Sequence, residues 1–350
     1  MPSATMAGLP AYIEDEPTLD EVLSRPSAGL IEDLAALEGD IMILGVAGKM
    51  GPTLARLARR ASDEAGVSRR VIGVSRFSRP ESRTQLESWG VETIPCDLLD
   101  KEGLAALPKA RNIIFMAGRK FGSTGAEATT WAMNAYLPGL VAEQFPDSRF
   151  VVFSSGNVYP LVPVISGGAT EDDLPSPVGE YAQSVLARER VFEYFSRQSG
   201  TPVTLIRLNY AIDLRYGVLF DIGSKVHAGQ PVDVTMGHAN VVWQGDANTY
   251  VLRSLRLCSS PPTVLNLTGP EIVSVRRVAQ RFGELLGVEP IIEGQEAPTA
   301  LLNNAARIFS HFGYPSVPLD TMIRWIARWL EIGGSSLDKP THFEARDGRF

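Results

Sequence analysis

The chain reads as an α/β protein of Rossmann type, a doubly wound parallel sheet with a smaller C-terminal substrate lobe. Three observations predict this. From residue 41, short apolar runs ("IMILGV", "VIGVSR", "VETIPC", "NIIFMAG", "RFVVFSS", "PVTLIRL") alternate with amphipathic stretches, the pattern of strands buried on both faces and joined by helices. The first run ends in a glycine turn that opens a helix, "GVAGKMGPTLARLARRA". A length of 350 residues, 44% hydrophobic and 21% charged, suits one large α/β unit with an appendage.

Residues 1–38 are expected to form an N-terminal extension: a loose start, then a short amphipathic helix at "GLIEDLAALEG", with Leu30, Ile31, Leu34 and Leu37 at helical spacing. It should pack outside the main domain. Residues 39–206 hold the nucleotide-binding domain, and residues 207–332 complete the sheet and build the substrate lobe. Within that lobe "VRRVAQRFGELLG" and "LDTMIRWIARWLEIGG" read as amphipathic helices, and Trp325 and Trp329, four apart, as core. Asp246 in "VVWQGDANTYVLRSL" is expected to cap a helix. The polar segment 333–350 is expected to be a disordered tail, with Phe343 and Phe350 as anchors.

Composition excludes several function classes. A net charge of −7 and 27 scattered arginines lack the basic excess that nucleic acid or anionic membranes select. Cys96 and Cys258 are the only cysteines and the four histidines stand far apart, so neither a disulfide framework nor a zinc site is read. The N-terminus has no basic region before an apolar run, and no apolar run approaches the ~18 residues of a membrane span. A cytoplasmic location is the expectation.

Gly45, Gly48 and Gly51 form a GxxGxxG turn, with Pro52 near the first helical position. In a strand–turn–helix setting the backbone N–H groups of such a turn, including those of Lys49 and Met50, close on a pyrophosphate. The second strand ends with Ser75 and Arg76, where a carboxylate would repel a 2′-phosphate and these residues would bind one. NADP(H) is therefore expected over NAD(H), although NAD(H) stays open.

The chain resembles the extended short-chain dehydrogenases, the NAD-dependent epimerase/dehydratase family, over roughly residues 40–330. The glycine turn matches that family's motif. "CDLLD" resembles its adenine-side strand, with Asp97 and Leu98 as candidate contacts, and "MAG" at 116–118 brings Ala117 and Gly118 to the middle of the cofactor. "FSSGNVYP" resembles SSxxVYG and puts Ser155 at the catalytic Ser/Thr position, 26 residues before Tyr181. The resemblance implies that Tyr181 is the general acid/base and Ser155 its hydrogen-bonding partner on the same substrate oxygen.

One position departs from the pattern. The family's Tyr is followed four residues later by a Lys that holds the nicotinamide ribose and depresses the Tyr pKa; here Tyr181 is followed by Val185, and none of the nine tyrosines has Lys at that spacing. Without the Lys a phenol of pKa ~10 is about one part in a thousand ionised at neutral pH. Reduction of a carbonyl, which needs the protonated acid, should survive better than oxidation, which needs the base. Lys120, beside Arg119, is the candidate stand-in cation.

The dehydratase branch carries acidic residues just after the catalytic Ser/Thr, whereas Gly156 and Asn157 follow Ser155 here, so 4,6-dehydration is disfavoured; Asn157 and Lys120 are read as substrate-binding. "RLNYAIDLRYG" departs from the sugar-nucleotide pattern; Asn209 and Arg215 are read as substrate-facing, Arg215 toward a carboxylate or hydroxyls or else in a salt bridge. The expectation is a reductase of a polar, carbohydrate-derived ketone. The alternatives are a non-catalytic NADP(H)-binding sensor or scaffold and a sugar epimerase with a substitute for the Lys. Family resemblance further implies a homodimer through the helix at about 126–145 and the Tyr181 helix, with Val185, Leu186, Val191 and Phe192 as apolar surface, some of it toward the sheet.

Overall fold

A computed structural model describes residues 8–120, 122 and 124–348. Its central sheet holds β1 (Ile41–Leu44), β2 (Val71–Ser75), β3 (Glu92–Pro95), β4 (Asn112–Phe115), β5 (Arg149–Ser155), β6 (Val203–Leu208) and β7 (Thr263–Leu267). Every pairing is parallel, in the order β7-β6-β5-β4-β1-β2-β3. The six apolar runs of the sequence are the first six strands. Strand order reverses between β1 and β4, so a crevice opens there beyond the carboxyl ends.

Register matters for the site. β4 pairs with β5 only as far as Phe115 opposite Val152, whereas β5 runs on against β6 until Ser155 faces Leu208. Phe153, Ser154 and Ser155 therefore project past the edge of β4.

Helices cover both faces. On one side lie α1 (Glu16–Leu23), α2 (Ala28–Ala35) and α3 (Gly51–Glu64), with the later α7 (Gln244–Arg253) packed against α2 and α3. On the other, α4 runs from Glu127 to Gln144 with a π turn at Ala132–Tyr136. It packs against α5 (Gly179–Ser199). The buried residues Ala182, Val185, Arg188, Glu189, Phe192 and Ser196 of α5 recur at spacings of three or four, the stripe of a helix lying on a sheet. Phe192 sets its ring 5.4 Å from that of Phe115 and 5.3 Å from that of Phe150. α6 (Val218–His227), α8 (Val275–Leu286) and α9 (Leu319–Glu331) enclose a second core in the lobe, where Trp325 and Trp329 are fully buried.

The N-terminal part is more than a loose start. Asp15 caps α1, accepting from Thr18 N at 2.7 Å, and Leu19 and Leu23 enter the lobe core. Leu30 and Leu34 of α2 pack instead with α3 over the sheet.

Two expectations are corrected. Asp246 does not cap α7: that helix starts at Gln244, and the Asp246 carboxylate accepts from Ser316 Oγ at 2.7 Å and Val317 N at 3.2 Å, tying down a distant loop. Nor is the tail disordered through Gly348. Thr341 donates its N and Oγ1 to Asp221 Oδ2 at 2.8 and 2.6 Å, Phe343 is buried in the lobe core, and Arg346 reaches Thr299 O at 2.8 Å. Gly348 lies against the start of α5, so close that a Cβ on Gly179 would meet its carbonyl oxygen at 2.3 Å. One aromatic anchor with specific polar partners holds a segment that composition alone reads as unstructured. Phe350 lies outside the described residues.

Candidate active site

The first half of the site is the glycine turn at the end of β1. Gly45 has φ +93°, and a Cβ there would meet the Ala117 backbone at 2.7 Å, so only glycine lets the turn pass beneath the loop that follows β4. A Cβ on Gly51 would meet Val46 O at 2.0 Å, whereas one on Gly48 would meet only Gly45 O at 3.4 Å. α3 therefore starts tight against β1 and leaves an open floor at Gly48. No side chain caps α3 at Met50, and its N-terminal dipole points at the crevice. These features fit a dinucleotide pyrophosphate.

Around this cradle, Ser75 ends β2 and Arg76 is exposed, with no ion pair among the described residues. Asp97 is exposed at the end of β3, accepting from Leu99 N at 3.1 Å, while Leu98 points into the core. Ala117 is buried. Lys49 lies with its Nζ 2.9 Å from the centroid of the Tyr216 ring, and burial, with Lys120 and Lys339 adding repulsion, pushes its ammonium down to about 6.

The second half lies where β5 outruns β4. Ser155 Oγ donates to Asn157 Oδ1 at 2.9 Å and accepts from Asn157 N at 3.2 Å. The same hydroxyl favours the ionised form of the Tyr181 phenol. Burial raises the Tyr181 pKa, and Ser155 and Arg188 offset only part of that rise. The half-buried Tyr181 phenol is thus shifted toward its neutral form. Val185 sits one turn below it, buried with Val158, Tyr159 and Ala169. Lys120 approaches from the loop after β4 with Nζ 5.8 Å from the Tyr181 ring centroid, and burial pulls its pKa down to about 8.

Asn209 is buried beside Gly156 and donates to Leu301 O at 3.4 Å. Arg215 is directed elsewhere: its guanidinium meets Asp213 at 3.0 Å, Glu16 at 3.2 Å and Asp20 at 3.6 Å. Of the two environments read from the sequence, it has the salt bridge, and that bridge joins the lobe to α1.

Several site residues were not singled out from the sequence. Asn134 is fully buried in the π turn of α4; it accepts from Arg119 N at 2.9 Å and donates to Arg119 O at 2.9 Å and Ser184 Oγ at 3.0 Å. Ser184 in turn donates to Tyr181 O at 2.8 Å. Arg188 lies against Gly118, and Glu189 pairs with Arg207 below Ser154. The available signal was Pro138, four residues after Asn134, because a proline cannot take the i−4 carbonyl bond and disturbs the helix before it. Tyr210 and Tyr216 line the lobe side, both with pKa raised by burial.

Among the described residues no group of three or more His, Cys, Asp or Glu could hold a metal ion, and no helix is long and apolar enough to cross a membrane.

Similar folds occur among solved structures. A dTDP-glucose 4,6-dehydratase of Streptomyces venezuelae, solved with NAD, superposes with a TM-score of 0.72 at 16% identity over 83% of this chain and 97% of that one. The corresponding figures for the dTDP-glucose 4,6-dehydratase of Bacillus anthracis are 0.71, 14%, 84% and 97%. A UDP-glucose 4-epimerase of Thermotoga maritima, solved with UDP-glucose, gives 0.66, 16%, 83% and 98%. At such identities the likeness speaks to the fold. No curated protein sequence matches significantly. The sequence pattern of the NAD dependent epimerase/dehydratase family, however, matches residues 41–234, more than half of the chain. On that match and this fold, the chain belongs to the NAD-dependent epimerase/dehydratase family.

Proposed function

We propose that the chain is an NAD(P)-dependent oxidoreductase that reduces a polar, carbohydrate-derived ketone, with NADP(H) preferred over NAD(H). One observation carries the reading: Val185, where a Lys would have favoured the ionised form, is buried one turn below the half-buried Tyr181, and burial pushes the Tyr181 phenol up, toward its neutral form. A dinucleotide held at Gly45, Gly48 and Gly51 would supply the hydride. Ser155 orients the carbonyl oxygen, and Tyr181 gives that oxygen its proton as it becomes an alkoxide. Asn157 fixes the Ser155 hydroxyl from the side. Asn209, buried at Gly156, is assigned to the substrate side. The exposed Arg76 with Ser75 supports the NADP(H) preference, since neither repels a 2′-phosphate.

Epimerisation is the second reading, favoured by Lys120. A cation 5.8 Å from the phenol ring helps the tyrosinate that alcohol oxidation needs. Oxidation of NADPH with a panel of free and nucleotide-linked keto-sugars separates the readings: turnover supports the reductase, interconversion of sugar epimers without net oxidation supports the epimerase, and tight NADPH binding without either supports a sensor or scaffold.

We further infer a cytoplasmic homodimer. A groove between α4 and α5 is lined by Tyr136, Leu140, Val191, Tyr194 and Phe195, and Tyr136 and Tyr194 are more than half exposed. That apolar strip supports a helix pair packing on its mate. Val185 and Phe192 face inward and take no part.

A further inference from the structure

At the carboxyl ends of β5, β6 and β7 two rows of residues lie on one face of the sheet. In the lower row the register sets Ser154 beside Arg207 and Arg207 beside Asn266. Every member is bonded: Ser154 and Arg207 to Glu189, Arg207 also to Tyr159, and Asn266 through Nδ2 to Ala169 O and Asn304 O, both at 2.9 Å. Side chains alternate along a strand, so two residues on the same face presents Gly156, Asn209 and Thr268. Asn209 N donates to Leu267 O at 2.9 Å, which carries the ladder that far. Asn303, from the lobe, lies over this upper row: a Cβ on Gly156 would meet its Oδ1 at 2.6 Å and Asn209 Cγ at 3.1 Å. The upper row is not satisfied as the lower one is. Asn303 is 2% exposed and Thr268 is fully buried, and among the described residues neither amide atom of Asn303 nor Thr268 Oγ1 has a hydrogen-bond partner. The Asn303 backbone is anchored, its N donating to Asn240 Oδ1 at 2.9 Å, so the amide is held against Gly156. Buried polar groups left unpaired cost stability, and these stand next to Ser155.

We propose that Asn303, with Asn209 and Thr268, forms a subsite for a vicinal diol beside the reacting carbonyl. One hydroxyl donates to Asn303 Oδ1, its neighbour accepts from Asn303 Nδ2, and Thr268 Oγ1 is a further partner for the pair. The subsite narrows the polar ketone to one that keeps both hydroxyls, since a deoxygenated carbon leaves the buried amide unpaired. Ligands of such sheets gather beyond the carboxyl ends of the strands, where this row lies. Ser155 is itself only 6% exposed, so a substrate that reaches it parts the lobe from the sheet and uncovers Asn303 in the same movement.

The proposal rests on Ser155 meeting the substrate carbonyl of the proposed reaction, and it is tested by stability and by binding, neither of which needs turnover. Asn303→Leu, close in shape and apolar, should leave the thermal midpoint of the full chain unchanged or raise it by about 2 °C, because an unpaired buried amide is removed. A lowered midpoint, the result for an amide bonded to a structural water, overturns the proposal. In ligand-observed NMR of the NADP+-loaded protein, erythrulose, a four-carbon ketose with a vicinal diol, should bind about tenfold more tightly than acetoin, the four-carbon hydroxyketone without one, and Asn303→Leu should cut that ratio below about threefold. Equal binding of the two by the parent, or an unchanged ratio in the variant, overturns it as well. If Asn303→Leu does not fold, Thr268→Val takes its place in both measurements with the same outcomes. Selective binding of erythrulose without NADPH oxidation would remove the reductase reading and leave the subsite standing.

Discussion

Glu189 and Arg207 face each other at 2.8 Å with side chains 1% and 5% exposed, one on the helix that carries Tyr181 and the other on β6. Ser154 donates to the same carboxylate, and Arg207 Nη1 donates to Tyr159 OH at 2.6 Å, which donates to Asn266 Oδ1 at 3.0 Å. This chain of polar contacts fastens α5 to β5, β6 and β7 immediately below Ser155. Removing one member leaves the other charge buried and unpaired. Glu189→Ala should therefore lower stability by roughly 3–5 kcal/mol, read by chemical denaturation, and a loss under about 1 kcal/mol would show the pair to be peripheral.

The cofactor prediction rests on Ser75 and Arg76. NADPH should bind more tightly than NADH by fluorescence titration, and Arg76→Ala should weaken NADPH by about tenfold while leaving NADH nearly unchanged. Equal affinities in the unmutated protein would remove the preference.

The tail should contribute to the lobe. Phe343→Ala empties a buried aromatic position and should cost about 3–5 kcal/mol, with a lowered thermal midpoint. Thr341→Val should be milder, because it removes the hydroxyl's bonds to Asp221 and from Phe343 N but keeps the backbone bond to Asp221 and the aromatic anchor. A midpoint unchanged by Phe343→Ala would mean that the segment is not docked in solution.

The sheet was legible because its strands are apolar on both faces, and the glycine turn because close backbone approach at Gly45 admits no side chain. Ser155 and Tyr181 were legible through their spacing and their places at a strand end and on the following helix. Other features depend on partners distant in sequence. Arg215 could not reveal that Glu16 and Asp20 of an N-terminal helix would meet it. The start of that helix was missed too and read as a loose segment, although Asp15 caps it and Pro17 stands in its first turn. The Asn134–Arg188 contact was hidden because a π turn shifts the helical phase, and only Pro138 announces it.

The groove between α4 and α5 makes a separate prediction. At micromolar concentration the protein should sediment as a dimer, and Tyr194→Glu, which puts a charge on the exposed strip, should shift it toward monomer without unfolding it. A monomeric parent protein would contradict this assembly.

The central claim is that Tyr181 works as a protonated acid. Burial raises its pKa above the ordinary value of 10.0, so it keeps its proton throughout the neutral range and loses it only in strong alkali. Reduction needs the protonated form and should stay level across neutral pH, falling as Tyr181 ionises; the reverse oxidation needs the phenolate and should rise with pH over the same range. The most direct test is the pH dependence of single-turnover NADPH oxidation with a substrate found in the keto-sugar panel, in the parent protein and in Tyr181→Phe. The expected result is a level neutral profile with an alkaline fall in the parent and a loss of at least about a hundredfold in the variant, with NADPH affinity nearly intact. A Tyr181→Phe protein that reduces the substrate as fast as its parent would contradict the account.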